Sequence, residues 1–150
     1  KTYYDLYKEI TMPFSWNKKL FDKANEIGIT IFSSPFDSKS VDLLEDLNCP
    51  AYKIASFEAK DHEFIKKVAS TKKPLVISTG VSNFLEIEET LEIARESGSM
   101  EIAILHCISS YPSNTQDMNI LAIKNPFLLQ LFFLLLYVKY ANLYYDLHLL

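Results

Sequence analysis

Four short apolar runs punctuate the chain: ITIFSS from Ile29, YKIAS from Tyr52, LVISTG from Leu75 and IAILHC from Ile102. Each is rich in Ile, Val and other strand-forming residues. Their near-continuous apolarity predicts strands buried on both faces, as in a parallel sheet. Between the runs the apolar positions change to helical spacing. Leu20, Phe21, Ala24 and Ile27 predict the inward face of a helix before the first run. Val41, Leu44 and Leu47 predict one after it, followed by Phe64, Ile65, Val68 and Ala69, then Phe84, Ile87, Leu91 and Ala94. Gly28 and Gly98 fall where a helix C-terminus wants a left-handed residue. Asp61 is an N-cap candidate, as is Asn83 with Glu86 three residues later. TQDMNILAIKN predicts one more short helix.

The strand-then-helix unit recurs about every 25 residues, which suggests a (β/α)8 barrel or a doubly wound sheet. No GxGxxG or GxxxxGK[ST] follows any of the strands, so the common nucleotide-binding doubly wound folds lose support. A complete barrel needs roughly 250 residues. The expected fold class is therefore α/β, a partial (β/α)8 TIM barrel with about four βα units. The expected organisation is a partial TIM-barrel domain over residues 1–125 and an apolar tail over 126–150. The opening KTYYDLYKEI has no apolar signal-peptide core and no initiator Met, so the chain is expected to begin within a longer protein.

Net charge is −4, which gives no electrostatic case for nucleic acid. Two cysteines occur, Cys49 and Cys107, each beside a predicted strand. Both are expected to be free buried thiols, which suits a reducing cytoplasm.

Every predicted strand ends in hydroxyl residues: Ser33 and Ser34, Ser56, Ser78 and Thr79, Ser109 and Ser110. Sites in βα proteins form at the C-terminal strand ends, so these hydroxyls would make a donor-rich rim suited to phosphate or carboxylate. As the alternative, Ser and Thr cap the helices that follow. Lys53 stands inside an apolar strand. Side chains alternate along a strand, so Ala51, Lys53 and Ala55 share a face. Small alanines on an inward face leave room for a long ammonium side chain to approach the rim. Against this stands an edge-strand lysine snorkelling to solvent. Glu58 is a candidate partner for that ammonium, for a substrate hydroxyl or for water, or else a solvated loop acid. His106 is a candidate base or ligand, with a packed strand histidine the plainer reading, and no second ligand stands at metal spacing from it. Tyr111 precedes Pro112 and is thereby restricted to extended geometry.

The runs FSSPFDSKSVDLLEDLNCPAYKIASFE, KPLVISTG, EIEETLEIARESG and LHCISSYPS resemble the sialic acid synthase family. The similarity extends from Tyr3 to Lys124, and NCPAYKIASFE is its most specific part. The opening YDLYKEITMPFSW resembles the pseudaminic acid synthase branch. The resemblance implies a (β/α)8 barrel enzyme, a transferase that condenses phosphoenolpyruvate with an N-acetylated amino sugar and releases phosphate. It implies a divalent metal, Mn2+ or Mg2+, that polarises the sugar aldehyde. It also implies a homodimer, cytoplasmic localisation and a product destined for bacterial surface glycans. By motif, Lys53, Ser56 and Ser78 match positions of the phosphoenolpyruvate site, and Glu58 matches an acidic active-site position beside Lys53. Ser34 matches a hydroxyl lining the pocket, and Ser109 and Tyr111 match positions at the sugar end. Neuraminate-type members often carry Asn where Ser109 stands.

The chain departs from the family pattern at both ends. The early strands with an active-site glutamate precede Lys1, and no SDH-type motif with a metal-binding histidine follows Lys124. His148 fits neither metal position, so no metal ligand is assigned. The stretch Phe127–Val138 is apolar apart from Gln130 and is shorter than the ~18 residues expected of a membrane span. A translated frameshift or damaged gene fragment accounts for it, with an interaction helix as the alternative. Two functions compete: an incomplete, inactive piece of a pseudaminic or related nonulosonic acid synthase, and a non-catalytic half-barrel that self-associates or binds a partner through its apolar tail. On the first, the chain is expected to release no phosphate from phosphoenolpyruvate with an N-acetylated hexose and Mn2+. A phosphate-release assay checks this, and turnover abolished by a chelator would contradict it.

Overall fold

The computed structural model describes residues 2–110 and 112–124. They fall into two compact units that divide between Cys107 and Ile108. The first holds a three-stranded parallel sheet in the order β1 (Tyr52–Ile54), β2 (Leu75–Ser78), β3 (Ile102–Leu105). Five helices accompany it: α1 (Tyr3–Ile10), α2 (Phe14–Ile27), α3 (Ser38–Asp46), α4 (His62–Ala69) and α5 (Phe84–Glu96). Sequential parallel strands joined by α4 and α5 are the βα arrangement expected from the apolar runs.

The register lines up Tyr52, Leu75 and Ile102, then Lys53, Val76 and Ala103, then Ile54, Ile77 and Ile104. Tyr52, Ile54, Leu75 and Ile77 are buried against Val41 and Leu44 of α3, Phe64, Ile65, Val68 and Ala69 of α4, and Ala94 of α5. This is the core, and it occupies one face of the sheet. The helices form where the sequence supplies stops as well as stripes. Asp61 accepts from the Phe64 N–H and opens α4. Asn83 and Glu86 form a reciprocal capping box on α5. Gly28 ends α2 with φ 74, a left-handed conformation that costs glycine little.

Three expectations need correction. The run from Ile29 does not form a full strand. It is reduced to a parallel bridge between Ser33 and Tyr52, and Ile29 and Phe32 are exposed. On α2 the inward face narrows to Phe21 and Ala24, while Leu20 and Ile27 face solvent, and on α5 it narrows to Ile87, Leu91 and Ala94, while Phe84 at the first turn is exposed. The predicted helix in TQDMNILAIKN resolves into two short 3-10 turns, Thr115–Asp117 and Ile120–Lys124, within the second unit. There the Asn114 amide donates to Asp117 at 3.3 Å. The apolar tail, residues 126–150, lies outside the described residues.

A polar cluster closes the opposite end of the sheet from the hydroxyl rim. Lys73, one residue before Pro74 and β2, donates to Glu45 of α3 at 2.5 Å, and the Tyr52 hydroxyl donates to the same carboxylate. The Lys73 ammonium also stands 5.8 Å from the Tyr52 ring centroid. Burial works against the Glu45 carboxylate, but the bonds from Lys73 and Tyr52 outweigh it and hold its pKa below the ordinary value. Burial, with the adjacent Glu45, pushes the Tyr52 phenol strongly up, so it stays a donor. Folding lowers the Glu45 pKa, so its contribution is present above the unfolded value and is lost as pH falls through the folded one. Glu45→Gln is expected to cost about 1 kcal/mol near neutral pH, after allowing for solvent screening of a half-exposed pair. Urea unfolding of both proteins checks this, with the gap narrowing as pH drops below the carboxylate range.

Candidate anion-binding site

Burial of Tyr52 and Ile54 toward the helices turns Lys53 to the other face of the sheet, where it is half-buried. Ala51 and Ala55 share that face, as the alternation requires. Pairing of Lys53 with Val76, and of Val76 with Ala103, keeps the neighbouring strands' side chains there small or branched. Ser78 follows Val76 by two positions, so it shares the Lys53 face at the C-terminal end of β2, and it is buried. The backbone under Lys53 is clamped on its outer side. Its N–H donates to the Ser33 carbonyl at 3.0 Å. Its carbonyl accepts from the Ser34 hydroxyl at 2.9 Å. Ser34 thus spends its donor on holding β1 in place.

Just past the strand ends the hydroxyls interlock. The Ser56 hydroxyl oxygen accepts from the Gly80 N–H at 3.2 Å and lies 3.6 Å from the Cys107 sulfur. The Thr79 N–H and hydroxyl both donate to the Leu105 carbonyl, at 3.1 and 3.0 Å. The Cys107 thiol is directed at that same carbonyl, 3.6 Å away. The ends of β1, β2 and β3 are therefore tied together by a ring of small donors. Such a cluster of small donors at the C-terminal strand ends is suited to an oxyanion.

Cys107 differs from the buried thiol expected for it: it is free but only half-buried. Burial would raise its pKa, yet the Ser56 hydroxyl, the Thr79 backbone, the Ser78 hydroxyl and the Gly80 backbone together bring it below the ordinary thiol value. Cys49 matches expectation: it is free and buried, its thiol donates to the Ala51 carbonyl at 3.1 Å, and burial pushes its pKa up.

Glu58 begins a 3-10 turn, Glu58–Lys60, and is half-buried. Among the described residues it forms no ion pair with Lys53. The neighbouring Lys60 pairs instead with Glu86 of α5 at 2.8 Å. Ser109 belongs to the second unit, and Tyr111 lies outside the described residues. His106 follows β3 and is exposed rather than packed. Among the described residues no group of three or more His, Cys, Asp or Glu side chains is placed to hold a metal ion. Nor is any helix among them long and apolar enough to cross a membrane. A small apolar pocket lined by Ile77, Ile87, Leu91 and Ile104 lies on the helix side of the sheet, opposite the face of Lys53.

Sequence reasoning placed Thr79 in the rim but overlooked Gly80, and it read Cys107 only as a buried thiol rather than as part of the strand-end ring. The signal was present as STG after the second run and HC after the third, each at a strand end. Their convergence depends on register, which spacing alone does not report.

Comparison with known proteins converges on one group. Residues 1–130 match the NeuB family. Pseudaminic acid synthase of Helicobacter pylori is 42% identical over 119 residues, covering 79% of this chain and 35% of the relative. An N,N'-diacetyllegionaminic acid synthase of Campylobacter jejuni is 33% identical, covering 80% of this chain and 36% of the relative. The chain spans about a third of the length of these curated relatives. Among solved structures, the N-acetylneuraminic acid synthetase of Leptospira borgpetersenii superposes with a TM-score of 0.77 at 27% identity. The match covers 82% of this chain and 43% of that one. The Bacillus subtilis spore coat polysaccharide biosynthesis protein SpsE gives 0.70 at 30% identity, covering 85% and 37%.

The contrast between the two thiols is directly measurable. At neutral pH, iodoacetamide is expected to modify Cys107 on the order of 10-fold faster than Cys49, because the thiolate is the reactive form. Peptide mass spectrometry over time reads both sites. Equal rates would contradict the environment described for Cys107.

Proposed function

The chain belongs to the NeuB family, and on that premise we propose that it carries the phosphoenolpyruvate-binding part of a nonulosonic acid synthase barrel of the pseudaminic acid type. The observation that carries this reading is the common face of Lys53 and Ser78, with Ser56 tied in at the same strand ends. An ammonium on a half-buried face is worth more to an anion than one in open water. Lys53 would counter the charge of phosphoenolpyruvate, and Ser56 and Ser78 would donate to its oxygens. Ser34 would support them by fixing the Lys53 backbone.

In the proposed reaction, carbon 3 of phosphoenolpyruvate attacks the aldehyde carbon of an N-acetylated amino sugar. Water adds at carbon 2, and phosphate leaves as its bond to carbon 2 breaks. Glu58 is proposed as the acidic group near the reacting atoms, and Ser109 and Tyr111 as contacts at the sugar end. The divalent metal implied by family resemblance finds no ligand set among the described residues, and no step is routed through it. The higher identity to pseudaminic acid synthases than to the legionaminic acid enzyme favours the pseudaminic type of sugar.

Isothermal titration of the purified chain with phosphoenolpyruvate is the test. Saturable binding is expected, and Lys53→Ala is expected to weaken it at least ~10-fold, as loss of a charge-assisted hydrogen bond would. Unchanged affinity in that variant would remove Lys53 from the site.

A further inference from the structure

The Ser56 hydroxyl has one proton to give, and its direction decides whether Ser56 can serve an anion. Its oxygen already accepts from the Gly80 N–H. Its second neighbour is the Cys107 sulfur at 3.6 Å, a contact in which either atom can be the donor. The thiol has a second possible acceptor in the Leu105 carbonyl, also at 3.6 Å. Two arrangements follow from these distances. In one, the thiol proton goes to Leu105 and the Ser56 proton rests on sulfur. In the other, the thiol donates to Ser56, whose oxygen then accepts twice and whose own proton turns outward.

The Leu105 carbonyl loses little in the second arrangement, because the Thr79 N–H and hydroxyl continue to satisfy it. Sulfur is a weak donor and a weak acceptor, so exchanging one arrangement for the other costs little. An oxygen in its place would hold the Ser56 proton more tightly.

We propose that Cys107 is a positioning residue that rests the Ser56 proton on its sulfur in the empty site and, by donating to Ser56, directs that proton outward when an oxyanion binds. The inference depends on the reading of Ser56 as a phosphoenolpyruvate ligand. No bond is made or broken to heavy atoms, and one thiol and one hydroxyl proton change acceptors. Cys107 itself does not touch the ligand.

The experiment is a double-mutant cycle on the full chain, with phosphoenolpyruvate affinity measured by titration calorimetry. Cys107→Ala is expected to raise Kd 3- to 10-fold, in line with the loss of a weak hydrogen-bonding partner. In a Ser56→Ala background, the same change is expected to raise it by less than about 2-fold, because the two residues act through one proton. Cys107→Ser keeps a hydrogen-bonding group and is expected to bind more tightly than Cys107→Ala. Thermal melts confirm that each variant is folded, and Cys107→Ser carries the comparison if the alanine variant is not. For that variant, an affinity change equal with and without Ser56 overturns the proposal. Equal losses from Cys107→Ala in both backgrounds do the same, since a merely structural role would act without Ser56. Absence of phosphoenolpyruvate binding by the unsubstituted chain overturns the reading of the site and the inference with it. Binding with additive losses overturns the inference alone.

Discussion

The burial of Tyr52 and Ile54 is the constraint on which the rest depends. Both are fully buried against α3 and α4. Strand side chains alternate, so fixing these two fixes Lys53 on the opposite face. A slip of one residue would put the ammonium into the apolar core and expose two large side chains. Burying each of them stabilises the fold by roughly 1.5–3 kcal/mol, and an unpaired ammonium in the core would cost several more. Register and cation placement are therefore one decision.

The two ends of the sheet divide the work. At the N-terminal end, Glu45, Lys73 and the Tyr52 hydroxyl form a satisfied polar cluster that anchors α3 to β1 and β2. At the C-terminal end, Thr79 is bonded to the Leu105 carbonyl at ordinary distances, while Ser56, Gly80 and Cys107 are held by longer contacts, two of them involving sulfur. Strong bonds suit an anchor. Weak ones leave donors that an incoming anion can recruit, which is the division of labour typical of βα folds.

Much of this was legible in the sequence. The three paired strands, the inward residues of α3 and α4, those of α5 apart from Phe84, and the caps at Asp61, Asn83 and Gly28 all follow from local pattern. So does the face shared by Ala51, Lys53 and Ala55. The Ile29 run was less legible, because an apolar run reports a capacity for burial and not the presence of a partner. Here only Ser33 is bridged, to Tyr52. Leu20, Ile27 and Phe84 misled for the same reason. The link from Ser56 to Gly80 and Cys107 joins residues from three strand ends, and no spacing rule reports a contact made by three-dimensional register. The roles of Lys53 and Ser78 were suggested by motif, and the geometry adds that they occupy one face.

The central claim is that the Lys53 face and the adjoining strand ends receive phosphoenolpyruvate. Amide chemical shifts of the isotopically labelled chain during a phosphoenolpyruvate titration test it most directly. The account predicts saturable shifts at Ser56, Thr79 and Gly80, with Glu45 and Lys73 at the other end of the sheet left unmoved. Shifts confined to the Glu45–Lys73 end, or none at the three strand-end amides at saturating ligand, would contradict it.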